Sequence, residues 1–559
     1  MTLLQDLECR LAAALAATLG EPATAAVTPA ADLRFGDYQT NAAMVLAKQR
    51  KTNPRALAQE IIDHLELGGL ATADIAGPGF INFHILPAAY AARVVALIRD
   101  PQLGVPPVGA GKTVIVDFSA PNVAKPMHVG HIRSTILGDT LARIGKFLGH
   151  RVITDNHIGD WGTQFGMLII GWKHHRNDTA LTTDPIGELE RLYKFINDKP
   201  ELRDAAKAEL VKLQQGDAEN LAIWQKIIEL SKQEFEKTYR RLGISFDHTF
   251  GESFYNPMLT TVVANLRQCG LATESDGAFC IFSPGQDSPL IVQKADGAFL
   301  YGTTDLATLK YRITEWQPDE IVYVTDARQQ LHFKQVFAAA AKWFPAVPDL
   351  RHVFFGSILG EDGKPLKTRS GQNVKLGELL DEAEERALAV VAEKNPELPE
   401  DVRRQIARAV GIGAIKYADL SQNRTTDYIF SWDKMLAMNG NTAPYLQYAY
   451  VRVQSIFRKA GDTTGDAPVT LAHPTELDLA KHILRFSDTL EAVLADDKPN
   501  WLTGYLYDLA GKFSVFYANC PVIQSAEPMR SSRLILCRLT ADIMKRGLNL
   551  LGIDVIEQM

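Results

Sequence analysis

Apolar positions follow two rhythms along the 559-residue chain, and the changes between them mark its units. Leu3, Leu4, Leu7, Leu11 and Leu15 recur at three- and four-residue steps, which places them on one face of a helix. Phe35-Gly36-Asp37-Tyr38-Gln39-Thr40-Asn41 leads into a second helical segment. Gly77-Pro78-Gly79 then turns the chain into Phe80-Ile81-Asn82-Phe83-His84, whose alternation predicts a strand. A Gly- and Pro-rich linker at 104–111 closes this unit, so residues 1–105 are expected to form an N-terminal α/β domain.

From Thr113 the pattern changes. Thr113-Val114-Ile115-Val116-Asp117-Phe118 reads as a buried parallel strand, Ile132 to Leu148 as a helix stopped at Gly149, and Val152-Ile153-Thr154 as the next strand. That βαβ unit predicts an α/β fold with a Rossmann-like, doubly wound parallel sheet. The pattern resumes with a strand at Ile321–Val324, a helix at Leu331–Trp343 and a strand at His352–Phe355. The sheet domain is therefore expected over residues 106–375, with insertions at about 165–300 that include a charged helical stretch from Glu188 to Arg241. Beyond Lys375 the spacing is helical nearly to the end, predicting an α-helical bundle over 376–559.

Composition narrows the class. With 46% hydrophobic and 22% charged residues the chain is that of a folded globular protein, which excludes collagen-like and disordered classes. The net charge of -7 excludes coating nucleic acid through overall charge, but not local basic patches. Five scattered cysteines, none in CxxC spacing, argue against a disulfide framework or a zinc site. The first residues lack a basic segment leading into an apolar core, and no apolar run reaches the roughly 18 to 20 residues that span a bilayer. A cytoplasmic protein without membrane association is expected.

The candidate chemistry lies at the first strand-to-helix turn, Asp117 to His131. In open α/β sheets ligands bind at the carboxyl ends of strands, where helix N-termini offer free N–H groups. Here that place carries Lys125, His128, Gly130 and His131. Imidazole and ammonium groups suit phosphate oxygens, and a glycine lets a flat base approach the backbone. H-x-G-H arises by chance about 0.02 times in a chain of this composition. No GxxxxGK[ST] loop is present, which removes the commonest alternative cradle for a triphosphate.

The H-x-G-H signature in this setting resembles the class I aminoacyl-tRNA synthetases. The longer string from Ser119 to Thr135 resembles the arginyl-tRNA synthetases in particular. The likeness continues through Phe35–Asn41, Asn156–Gly166, Tyr301–Ala307, Gln329–His332 and Asn441–Ala449. It implies an ATP-dependent ligase that makes arginyl-adenylate and passes the acyl group to the 2′-hydroxyl of the terminal adenosine of tRNA(Arg), releasing AMP and pyrophosphate. His128, Gly130, His131 and Lys125 are then expected at ATP. Asp117, Asn122, Tyr301, Asp305 and Gln329 are expected at arginine, whose fixed fork of five donors requires carboxylates. The family often has Glu at the place of Asp117.

The second class I signature, KMSKS, is out of register here. Lys364, Lys367 and Arg369 stand in its place, and the resemblance implies that Lys125 compensates. Mg²⁺ is expected to come with ATP, held mainly by phosphates, without a protein metal site. Gln39, Tyr445, Arg452 and Arg458 are candidates for tRNA contact, the N-terminal domain at the tRNA elbow and the bundle at the anticodon. A monomer is expected. A class I synthetase for another amino acid, a smaller H-x-G-H nucleotidyltransferase and a non-catalytic tRNA-binding paralogue are the rival readings. The acidic pocket, the chain length and the retained His128, His131 and Asp305 weigh against them in turn.

Overall fold

The computed structural model describes residues 2–558 apart from 31, 287, 368–373 and 462–466. Helix α1 (Leu3–Leu19) starts where Thr2 and Gln5 form a reciprocal capping box and stops at Gly20 in the left-handed conformation. It covers an antiparallel sheet of β1 (Thr28–Pro29), β2 (Tyr38–Thr40), β3 (Ala71–Ala76) and β4 (Phe80–Ile85), in the order β1-β2-β4-β3. With α2 (Ala42–Arg50) and α3 (Pro54–Asp63) these elements enclose a core of their own around Leu7, Leu11, Ile61, Ile81 and Phe83. Helix α4 (Pro87–Ile98) leads onward.

The second unit opens with β5 (Thr113–Asp117), α5 (Val129–Phe147) and β6 (Arg151–Asp155). Five helices follow: α6 (Gln164–His175), α7 (Asp178–Thr183), α8 (Pro185–Asn197), α9 (Arg203–Gln214) and α10 (Ala218–Leu242). Next come α11 (Glu252–Gln268), a small antiparallel sheet of β7 (Thr273–Ser275), β8 (Ala278–Ile281) and β9 (Leu290–Gln293), and α12 (Tyr301–Tyr311). The main sheet resumes with β10 (Glu320–Tyr323), α13 (Gln330–Trp343) and β11 (Asp349–His352). Its four strands are parallel in the order β11-β10-β5-β6.

The alternation of β5 explains the double winding. Val114 and Val116 face the core shared with α5, whereas Ile115 faces the core closed by α11, α12 and α13. One strand sits earlier than its apolar pattern suggested: pairing covers Asp349–His352, not His352–Phe355. This is an edge strand, so Asp349 and Arg351 tolerate partial exposure there, while Val353 and Phe355 are buried only after the chain has left the sheet.

The remainder is helical, apart from β12 (Ile358–Leu359) paired with β13 (Tyr428–Ile429). Helices α14 (Leu376–Lys394) and α15 (Glu400–Leu420) precede α16 (Trp432–Met435) and α17 (Ala443–Ala460). The chain ends with α18 (Pro474–Ile483), α19 (Phe486–Asp496), α20 (Asn500–Asn519) and α21 (Met529–Leu550). Their apolar core is continuous with the α5 side of the sheet. A buried ion pair joins the two parts: Arg133 of α5 lies 3.1 Å from Asp419 of α15, each side chain 1% exposed.

Candidate active site

The turn from β5 to α5 is held in an unusual shape. Ser119, Ala120 and Ala124 have φ of 75°, 48° and 62°, a left-handed region that side chains with a Cβ seldom adopt. Their amide groups are tied down from elsewhere. The Ser119 N–H donates to Ser134 Oγ at 2.8 Å, that of Ala120 to Asn156 Oδ1 at 3.1 Å, and that of Ala124 to Ser231 Oγ of α10 at 3.0 Å. The Tyr239 hydroxyl, also on α10, sits 2.8 Å from Ser119 Oγ. Asn122 runs beside Gly159 through the bonds Val123 N–H to Gly159 O and Gly159 N–H to Pro121 O. A Cβ on Gly159 would stand 2.3 Å from Asn122 Oδ1, so a larger residue there would displace the Asn122 side chain.

The two histidines close the turn as a capping box for α5. His128 Nδ1 accepts the Gly130 N–H at 3.0 Å, and His131 Nδ1 accepts the His128 N–H at 3.1 Å. The rings lie 4.0 Å apart. Burial, with Lys125 and Arg328 nearby, lowers the His128 pKa, and burial beside His128 takes that of His131 down to about 3. Both rings are therefore neutral with Nδ1 as acceptor, which leaves each Nε2–H as a donor. They line a cavity of about 510 Å³ together with Asn122, Lys125, Tyr193 and Lys375.

Carboxylates gather at the carboxyl ends of β5 and β6. Arg312, fully buried, donates to Asp117 Oδ2 at 2.6 Å and Asp155 Oδ2 at 2.8 Å. Burial pushes the Asp117 carboxyl up, and Arg312 pulls it back. Asp305 of α12 takes His332 Nε2 at 2.5 Å, and Tyr301 meets the His332 ring edge-on at 4.8 Å. Burial pushes Glu252 up to about 7, His157 opposing and Asp305 and Asp160 adding to the shift. Asp160 accepts the Ser253 N–H and Oγ–H at the start of α11, a capping role. The region has an excess of negative charge, set against a cavity bearing cations and imidazoles.

Comparison with known proteins decides what this pairing belongs to. The "tRNA synthetases class I (R), catalytic domain" model matches residues 94–432, the "DALR anticodon binding domain" model 446–559, and the "Arginyl tRNA synthetase N terminal domain" model 4–85. The arginine–tRNA ligases of Chromobacterium violaceum and Laribacter hongkongensis are each 48% identical, with 100% of both chains covered. The chain belongs to the arginyl-tRNA synthetase family. Among solved structures, the arginyl-tRNA synthetase of Plasmodium falciparum matches with a TM-score of 0.86 at 33% identity, covering 100% of this chain and 99% of that one. The Thermus thermophilus arginyl-tRNA synthetase also gives 0.86, at 26% identity with both chains fully covered. The protein is an arginine–tRNA ligase whose substrates are arginine, ATP and tRNA.

Within this arginyl-tRNA synthetase fold the residues expected at ATP, Lys125, His128, Gly130 and His131, come together on one turn. Asn122 lines the same cavity, and Asp305 and Tyr301 meet at His332. Gln329 is exposed at the end of the single turn Ala327–Gln329. Asp117, expected at arginine, is paired with the buried Arg312. Lys364 and Lys367 are exposed and lie outside the cavity lining; Lys364 sits on a turn closed by Gly360 N–H to Lys364 O. Arg369 falls outside the described residues.

Tyr445, Arg452 and Arg458 share α17; Arg452 covers the Tyr517 ring and Arg458 donates to Glu557 O. Gln39 is half-buried on β2. Sequence reading passed over Arg312, Glu252, Tyr193, Lys375 and the two α10 residues. Only His332 had a signal of its own, as a member of the Gln329–His332 motif.

Proposed function

We propose that the His128–His131 cavity receives the triphosphate of ATP and that the acidic region beside it takes the guanidinium of arginine. The arginine carboxylate oxygen attacks the α-phosphorus, the bond to the bridging oxygen breaks, and pyrophosphate leaves with that electron pair. Negative charge grows on the phosphate oxygens as this happens. The Nε2–H groups of His128 and His131 and the Lys125 ammonium are preorganised donors for it. The observation that carries the reading is the capping box, which fixes both imidazoles as neutral donors before substrate arrives.

Asp305 is the main carboxylate for the guanidinium, with Tyr301 and Gln329 supplying hydrogen bonds and Asn122 meeting the α-amino end. Asp117 acts through the surplus charge it shares with Asp155 over Arg312. Mg²⁺ travels with ATP, its ligands mostly phosphate oxygens. The donor set supports this, since the cavity wall offers cations and imidazoles, and its one carboxylate, Glu190, is paired with Lys194 at 2.7 Å. The N-terminal domain meets the tRNA elbow with Gln39, and the bundle reads the anticodon with Tyr445, Arg452 and Arg458. The enzyme works as a cytoplasmic monomer.

Lys364, Lys367 and Arg369 act as an auxiliary basic loop, and Lys125 carries the larger share. Lys125→Ala is expected to depress arginine-dependent pyrophosphate exchange, measured with tRNA present, by about 100-fold, and Lys364→Ala much less. Equal activities for the two variants would overturn that division of labour.

A further inference from the structure

Lys375 lines the same cavity as Lys125, His128 and His131. Its backbone is knitted to the histidine turn. Residues 128 and 375 face each other in an antiparallel bridge, flanked by Val129 N–H to Val374 O and Leu376 N–H to Met127 O, both 2.9 Å. The residue is the N-cap of α14. It is half-buried and has no carboxylate partner among the described residues.

We propose that Lys375 is a catalytic residue of the activation step, contacting the polyphosphate of ATP as a second lysine beside Lys125. The two cations reach the cavity from different elements. Lys125 comes from the strained turn and rests 5.3 Å from the Tyr193 ring, while Lys375 comes from the start of α14. The out-of-register signature loop lies just before Lys375 in sequence, and Lys375 lines the cavity whereas the exposed Lys364 and Lys367 do not. As pyrophosphate leaves, its new charge meets this ammonium without rearrangement of the backbone.

The test compares the full-length enzyme with Lys375→Met and Lys375→Arg in arginine-dependent ATP–pyrophosphate exchange with tRNA present. Lys375→Met is expected to lower kcat/KM for ATP by about 100-fold, mainly through kcat, with KM for arginine within about twofold. Lys375→Arg should recover most of the loss, since charge rather than shape is the requirement. Melting temperature and tRNA retention on filters should match the wild type for both variants. Exchange kinetics of Lys375→Met within about twofold of wild type would overturn the proposal. So would a defect confined to KM for tRNA, or equal failure of the Met and Arg variants with lowered melting temperature.

Discussion

At the scale of single residues the decisive contacts are electrostatic and long-range in sequence. Arg312 meets Asp117 and Asp155 in a buried site, and its Nε and Nη1 have no hydrogen-bond partner among the described residues. Removing the guanidinium leaves two buried carboxylates facing each other. Arg312→Met should therefore cost about 3–5 kcal/mol in urea unfolding, far more than an exposed pair would. A loss below about 1 kcal/mol would show that the pair is incidental. The sequence could not disclose it. Asp117 was legible as a carboxylate at a strand end, but its partner lies 195 residues away with no periodic signal of its own. His128 and His131 were legible because their roles are local: both are capping residues of the helix they begin.

Among the elements, α10 was readable as a charged helix inside an insertion, without any hint of purpose. Its buried seam includes Ile223, Ile227, Ser231, Phe235 and Tyr239, and two of these polar groups hold the left-handed turn that presents Lys125 and the histidines. Strain of this kind persists only where surroundings enforce it. Tyr239→Phe removes one hydroxyl from that support while keeping the ring. It should lower kcat for pyrophosphate exchange about tenfold and leave KM for arginine nearly unchanged, as expected for misplacement of the phosphate-binding turn. A variant with unchanged kcat would mean the turn holds its shape without α10. The parallel strands β5 and β6 and helix α5 were legible because their apolar periods are clean. The edge strand β11 was not, since exposure relaxes the demand for apolar residues at its positions.

For the whole molecule, the catalytic-domain match extends to residue 432 and so takes in α14 and α15. The packing gives the reason for that extension. Helix α15 closes the buried side of α5 through the Arg133–Asp419 pair, and Lys416 of α15 donates to Leu242 O at the end of α10. A chain ending near 375 would expose this core and is expected to be insoluble or molten. The N-terminal domain differs because residues up to Tyr90 have a core of their own, whereas Val94, Leu97, Leu103 and Val105 belong to the main core. Deleting residues 1–85 should weaken tRNA binding, seen as a raised KM for tRNA, while arginine-dependent exchange at saturating tRNA stays within a few-fold of wild type. A deletion that left KM for tRNA unchanged would remove this domain from the tRNA path.

Within a chain of net charge -7, carboxylates gather at the proposed amino-acid site and cations line the proposed phosphate cavity. Selection of arginine by Asp305 and its neighbours, independently of ATP, is tested most directly by steady-state kinetics of Asp305→Ala in aminoacylation of tRNA(Arg), varying arginine and ATP separately. The expected result is a fall in kcat/KM for arginine of about 1000-fold or more, with KM for ATP within about threefold. An unchanged kcat/KM for arginine, or an equal loss for both substrates, would contradict it.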